Sequence, residues 1–109
     1  MKHILTFLLF VLFVCIDGHA QSFNEYLKAA QNGDAEAQYN LAVCYYNGDE
    51  VGKDLVQSAK WWLKSAEQGY ADSQYWIAYC YLNELGIVKD EKKAFEWFLK
   101  SAKYGNKGR

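Results

Sequence analysis

The side chains best equipped for chemistry in this 109-residue chain are two histidines, three cysteines and a scatter of carboxylates. Histidine is the commonest general base and the commonest metal ligand, but His3 and His19 both fall in a stretch that reads as a removable leader. Lys2 and His3 make a short basic start, and the run from Ile4 to Ile16 is apolar apart from Thr6. Gly18-His19-Ala20 then supplies small residues before a cut predicted between Ala20 and Gln21. Thirteen helical residues rise only about 20 Å, short of a ~30 Å hydrocarbon core, so the run is too short for a membrane anchor. Cys15 stands near its end, but the preceding residue is Val14 and not the small residue that lipid attachment requires. The expected product is an exported chain, secreted or periplasmic, with no stable membrane span and no histidine.

What remains offers little to an enzyme. There is no Ser-x-x-Lys, no Gly-x-Ser-x-Gly and no phosphate-binding loop, and no histidine remains for a triad or a zinc site. The Asp and Glu residues fall at predicted helix ends and loops, where capping accounts for them. The expectation is a protein with no catalytic residues, no bound metal and no cofactor. A formal net charge of −1 leaves no electrostatic footprint for nucleic acid. Lys89, Lys92, Lys93, Lys100 and Lys103 crowd the last predicted helix with Glu91 and Glu96 among them, which suits a solvated face and cations near a helix C-terminus. Docking to an acidic surface is the functional alternative.

The elements that position these residues come in duplicate. An offset of 36 superimposes Gly33 on Gly69, Ala35 on Ala71, Gln38 on Gln74, Tyr39 on Tyr75, Ala42 on Ala78 and Cys44 on Cys80, and it continues without a gap through Trp61/Trp97 to Ala66/Ala102. A period in the thirties marks a helical array whose units cannot bury their apolar faces alone. Each unit divides into a helix A (about 35–47 and 71–83) and a helix B (about 55–68 and 91–104). Asp54 and Asp90 stand at N-cap positions, and Val51 and Ile87 pin the intervening loops. A half unit precedes them: Ser22-Phe23-Asn24-Glu25 reads as a capping box, opening a helix to Asn32 that Gly33 ends in the left-handed conformation. Gly69 and Gly105 are expected to end the two B helices.

The helix-A core stripe is Ala35, Gln38, Leu41, Ala42 and Tyr45, repeated as Ala71, Gln74, Ile77, Ala78 and Tyr81. The helix-B stripe is Ala59, Trp62, Leu63 and Ala66, repeated as Phe95, Phe98, Leu99 and Ala102. Helix A carries a second stripe beyond its core: Tyr39, Val43 and Tyr46, matched by Tyr75, Tyr79 and Leu82 with Trp76 beside them. These seven residues are the candidate protein-binding groove, because Tyr and Trp give large rigid contact area with a polar tip; packing between adjacent helices is the alternative. Cys44 and Cys80 hold equivalent places in successive units, about one helix spacing of ~8–10 Å apart, whereas a disulfide needs Cα atoms within about 7 Å. They are expected to be separate thiols, at least partly buried.

Gly-x-Ala-x-Ala-Gln-x-x-Leu-Ala-x-x-Tyr-x-x-Gly at 33–48, with Val51, Asp54 and Trp61-x-x-Lys-x-Ala-x-x-Gly at 61–69, resembles the Sel1-like repeat, a relative of the tetratricopeptide repeat. The second copy fits at Gly69, Ala71, Gln74, Ile77-Ala78, Tyr81, Gly86-Ile87, Asp90, Lys93-Ala94 and Trp97. Ala42 and Ala78 replace a usual Gly, Glu50 and Glu84 replace loop glycines, and Gln57-Ser58 stands where Lys-Ala is typical. The resemblance implies an all-α, short right-handed α-solenoid of antiparallel hairpins, whose A helices line the concave side and which acts as an adaptor for a protein or peptide partner. Some cysteine-rich relatives have been described as β-lactamases with a disulfide in each repeat; one Cys per unit lacks that pair, and the hydrolase reading finds no residues to land on.

The expected layout is a leader at 1–20, a half repeat at 21–33, repeats at 34–69 and 70–105, and a tail at 106–109. Solenoids generally want about three repeats with polar caps. The half unit at one end and the Gly105-Asn106-Lys107-Gly108 stop at the other make self-association or docking through open ends the second functional reading.

Overall fold

The computed structural model describes residues 22–107, with side chains described through 105. The leader, its cut at Ala20/Gln21, Cys15 and both histidines lie outside the described residues. Five helices follow in order: α1 (Phe23–Gln31), α2 (Ala35–Asn47), α3 (Leu55–Glu67), α4 (Ala71–Asn83) and α5 (Glu91–Lys107). Among the described residues there is no strand, and no helix is long and apolar enough to cross a membrane. The architecture is the all-α solenoid of antiparallel hairpins, two full units and the second half of another.

The core forms where small residues let the helices close on large ones. Ala30, Ala42, Ala59, Ala66 and Ala78 are all but inaccessible, and Leu41, Trp62, Ile77 and Cys80 fill the space between them. Side-chain hydrogen bonds recur with the repeat. Each helix A reaches back to the preceding helix B through its glutamine: Gln38 Nε2 donates to the Ala30 carbonyl at 3.1 Å, and Gln74 Nε2 to the Ala66 carbonyl at 3.2 Å. Each helix B is tied to its own helix A by serine, Ser65 Oγ donating to Ala35 O at 2.7 Å and Ser101 Oγ to Ala71 O at 2.9 Å. The unusual Ser58 is buried and donates to Ala42 O at 2.8 Å, so a hydroxyl replaces the usual methyl without an unmet polar atom. Asp54 and Asp90 cap as expected, accepting from Gln57 N and Lys93 N.

Three local expectations are corrected. Ser22 does occupy the N-cap of α1, but its side chain makes no capping bond. The Phe23 N–H donates instead to Glu50 Oε2 at 2.9 Å, so a loop carboxylate from the next unit holds the start of the helix. Gly105 does not end the last helix. Gly33 and Gly69 sit at φ +98° and +94°, the left-handed values a helix end needs, whereas Gly105 stays helical and α5 runs on to Lys107. The stripe Phe95, Leu99 and Ala102 is not core. Phe95 and Leu99 are 64% and 54% exposed, because no described helix covers the side of α5 that matches the α4-covered side of α3.

The two α–α loops within the units reach the same shape by complementary means. Positions 48 and 84 match under the offset, as do 50 and 86, and all four have positive φ: +74° at Gly48, +61° at Glu50, +56° at Glu84 and +74° at Gly86. Each loop thus places one glycine and one glutamate in the left-handed region, in opposite order. Gly86 has no freedom to change, since a Cβ there would collide with the Leu55 carbonyl at the start of α3. Glu50, at the matching place, extends its carboxylate toward Phe23 at the start of α1.

Candidate protein-binding face

The second stripe of α2 and α4 assembles into a continuous set of rings, and its floor is a residue assigned to the core from sequence. Trp62 of α3, 1% exposed, stacks on Trp76 with centroids 5.3 Å apart and planes 14° apart. Tyr46 leans on both indoles, at 5.5 Å from Trp62 and 6.1 Å from Trp76. Tyr79 and Tyr75 meet the Trp76 ring edge-on at 5.7 and 5.5 Å, and Tyr75 also meets Phe98 at 5.5 Å. Phe98 therefore serves the second unit as Trp62 serves the first, the two being partners under the 36-residue offset. Tyr39 stacks on none of these rings and pairs with Tyr70 at 5.4 Å, but its hydroxyl is hydrogen-bonded with Trp76.

Exposure divides the seven candidate residues. Tyr39, Val43, Tyr46 and Trp76 are half-buried and pack against the core, Tyr79 is half-buried, and Tyr75 and Leu82 are 47% and 41% exposed. Two residues escaped the sequence reading. Trp62 repeats at the spacing of a core stripe, and nothing in that spacing distinguishes an inner ring from the floor of a face. Tyr70 follows Gly69 at the N-cap of α4, where Asp34 stands in the preceding unit, and a tyrosine in a capping position was the available signal. Asp34 caps α2 by accepting from Ala37 N, whereas Tyr70 makes no side-chain cap and spends its ring on Tyr39.

The electrostatics of the face are acidic at one end. Burial pushes the Tyr39 hydroxyl above its ordinary value, the Asp72 carboxylate adds to this, and a hydrogen bond with Trp76 opposes both. Burial likewise raises Tyr70, followed by the carboxylates of Glu36 and Asp72, then Tyr39 and Asp34. Both phenols are thus protonated hydrogen-bond donors at neutral pH, beside a fringe of carboxylates. At the other end of α2, Lys53 lies over the Tyr46 ring at 5.7 Å.

The remaining groups with chemical potential are placed elsewhere. Cys44 and Cys80 are buried free thiols. Burial raises Cys44, with Asp49 and Glu50 adding to it, and burial alone pushes Cys80 up to about 12. The thiolate is the form that attacks or ligates, so neither is equipped for nucleophilic chemistry. Among the described residues no group of three or more His, Cys, Asp and Glu could hold a metal ion. Lysines of α5 lie over rings: Lys100 is 4.5 Å from the Trp97 centroid, as Lys64 is from the buried Trp61 at 4.6 Å, and Lys93 rests over the buried Tyr81.

Comparison with known proteins follows the same lines. The model of the Sel1 repeat matches residues 35–70 and again residues 71–106. Three solved structures share the fold. A Sel1 repeat protein from Oxalobacter formigenes aligns with TM-score 0.75 and 36% identity over 77% of this chain and 35% of its own. The protein c5321, a protective antigen present in uropathogenic Escherichia coli strains, aligns with TM-score 0.72 and 34% identity over 77% of this chain and 18% of its own. Helicobacter pylori cysteine rich protein B aligns with TM-score 0.73 and 29% identity over 76% of this chain and 62% of its own. The chain spans less than two thirds of each, and among curated proteins there is no match. Sel1 repeats in general mediate protein–protein interactions. With its two consecutive matches, this chain belongs to the Sel1 repeat family.

Proposed function

We propose that the chain is exported and acts as a non-enzymatic adaptor, holding a protein or peptide partner on the aromatic face of α2 and α4. The observation that carries this reading is the ring set itself. Trp62 and Phe98 fix it from below, and Tyr75 and Leu82 stand out of it with a large part of their surface open. Rings locked by neighbours lose little freedom on binding, so the area they offer converts efficiently into affinity. The carboxylates of Asp34, Glu36 and Asp72 at one end favour a partner that brings a Lys or Arg beside its apolar residues. A hydrolytic role has no support from the thiols, which are buried and protonated.

Trp76 and Tyr79 are the obvious residues to change, but Trp76 is stacked on Trp62, so its loss would disturb folding along with binding. Leu82→Lys is the cleaner probe because the residue is largely exposed. The partner would be captured by chemical cross-linking in the compartment where the chain accumulates. Loss of one specific cross-linked species in Leu82→Lys, with helicity and thermal midpoint unchanged, is the expected result. An identical cross-linking pattern in the variant would sink the assignment of this face.

A further inference from the structure

A hydrogen bond made in the first unit is left unmade in the second, at a buried oxygen. In the first unit Gln38 Nε2 is spent on the Ala30 carbonyl. Its Oε1 then accepts from Gln68 Nε2 at 2.8 Å, and the same Gln68 nitrogen donates to the Gly33 carbonyl at 2.9 Å. One carboxamide thus bridges a glutamine and a glycine carbonyl at the end of the hairpin. Under the 36-residue offset both acceptors recur, as Gln74 and Gly69, but the residue matching Gln68 is Tyr104, which has no amide to give. Gln74 Oε1 is buried and has no hydrogen-bond partner among the described residues.

Gln74 cannot turn its amide to escape this. Its Nε2 donates to the Ala66 carbonyl at 3.2 Å, and a carbonyl only accepts, so the oxygen is held on the other side. The residue is 2% exposed, and an unmatched oxygen at that depth costs its full desolvation. Gln74 borders a cleft of about 250 Å³ whose walls include Glu67, Gly69, Trp97, Lys100 and Tyr104. The whole lining falls within residues 66–104, and it shares no residue with the seven of the ring face or with the exposed Phe95 and Leu99. Lys100, 4.5 Å from the Trp97 centroid, brings a donor to the same cleft. Its charge is balanced by Glu67, so the cleft favours a neutral ligand.

We propose that this cleft binds a primary carboxamide, the group that Gln68 supplies to the first unit. The ligand's NH2 donates to Gln74 Oε1 and to the Gly69 carbonyl, and its C=O accepts from Lys100. A carboxylate brings no donor for the two oxygens, and a tertiary amide brings no N–H. Because Gln74 Oε1 is itself shut off from solvent, a rim side chain must turn outward to admit the ligand. Tyr104 is that side chain, since it lines the cleft, is 47% exposed and holds the place of Gln68. The site is independent of the partner face.

The test is a titration of the full exported chain, labelled with nitrogen-15, by propionamide, following the Gln74 side-chain amide and the Trp97 indole N–H by NMR. Saturable shifts of both resonances are expected, with none from propionate or N,N-dimethylpropionamide. Tyr104→Gln, which supplies the missing amide from within, should weaken binding by about tenfold or more and raise the thermal midpoint, whereas Tyr104→Ala should tighten binding several-fold. Acetyl-glutamine N-methylamide distinguishes the sources: tighter binding than propionamide assigns the group to a glutamine side chain of a peptide, and equal binding assigns it to a free amide, both in support of the site. Leu82→Lys should leave the shifts unchanged, so failure here is distinguishable from failure of the adaptor reading. Shifts that do not saturate, equal shifts from the dimethyl amide, or a Tyr104→Gln variant that binds as the natural chain does would overturn the proposal.

Discussion

Gly86 and Glu84 sit two residues apart in one loop, and substitution should drive them in opposite directions. Gly86→Ala adds a Cβ to a residue at φ +74° and directs it into the Leu55 carbonyl, so the loop must leave α3. A loss of about 3 kcal/mol is expected, read as a lower urea midpoint. Glu84→Gly relieves a non-glycine residue at φ +56° and should raise stability by about 1 kcal/mol. The thiols make a second residue-scale case. Cys80 is favoured in its neutral form by the fold, with its titration raised from 9.0 to about 12. The unfolded chain therefore releases this proton first. The stabilisation of the neutral thiol is fully present below about pH 9 and is lost as pH rises from there toward 12. Comparing the alkaline limb of the stability profile with that of Cys80→Ala isolates this contribution, and the variant should show the shallower fall.

At the scale of helices, the sequence was most readable where a contact is made twice and least where it is made once. Gln38 and Gln74, Ser65 and Ser101, and Asp54 and Asp90 hold the same places in both units, so the offset revealed their elements before any geometry was known. The capping box at Ser22 is not formed, since the Glu25 N–H donates to the Ser22 backbone carbonyl at 2.9 Å; the Glu50 carboxylate that holds the Phe23 N–H lies 27 residues away and belongs to no local pattern. The stripe on α5 failed because periodicity states which residues could be buried and not whether a neighbour arrives to bury them. Repetition also breaks where it matters energetically. Gln38 Oε1 accepts from Gln68 Nε2 at 2.8 Å, while the residue matching Gln68 is Tyr104, and Gln74 Oε1 finds no donor among the described residues. Gly105 supplies the test at this scale. It lies inside α5, and a Cβ there would meet Ala71 Cβ at an ordinary 3.9 Å. Gly105→Ala should therefore stabilise by about 0.5–1 kcal/mol in thermal unfolding, whereas the same change at Gly69, at φ +94°, should destabilise.

For the whole molecule, the fold was legible in the sequence, and of the face proposed here for a partner only the outer rings were. A gapless offset of 36 specifies a stack of hairpins, but Trp62 reads as core in any single unit and becomes the floor of a face only when α4 is laid across it. Export is settled by a measurement on the whole chain. Intact mass spectrometry of protein recovered from its native compartment should give a chain beginning at Gln21, and a mass including residues 1–20 would remove the export proposal.

The duplicated cysteines have a use that concerns neither redox chemistry nor ligands. One thiol sits on α2 and one on α4, both buried, so a small alkylating reagent can reach either only when its own half of the stack opens. In a quasi-one-dimensional array such openings run inward from the ends. The order in which Cys44 and Cys80 acquire label under native conditions is therefore a built-in record of which end unzips first. With no described helix over Phe95 and Leu99 of α5 and with α1 clasped by Glu50, Cys80 should take the label ahead of Cys44.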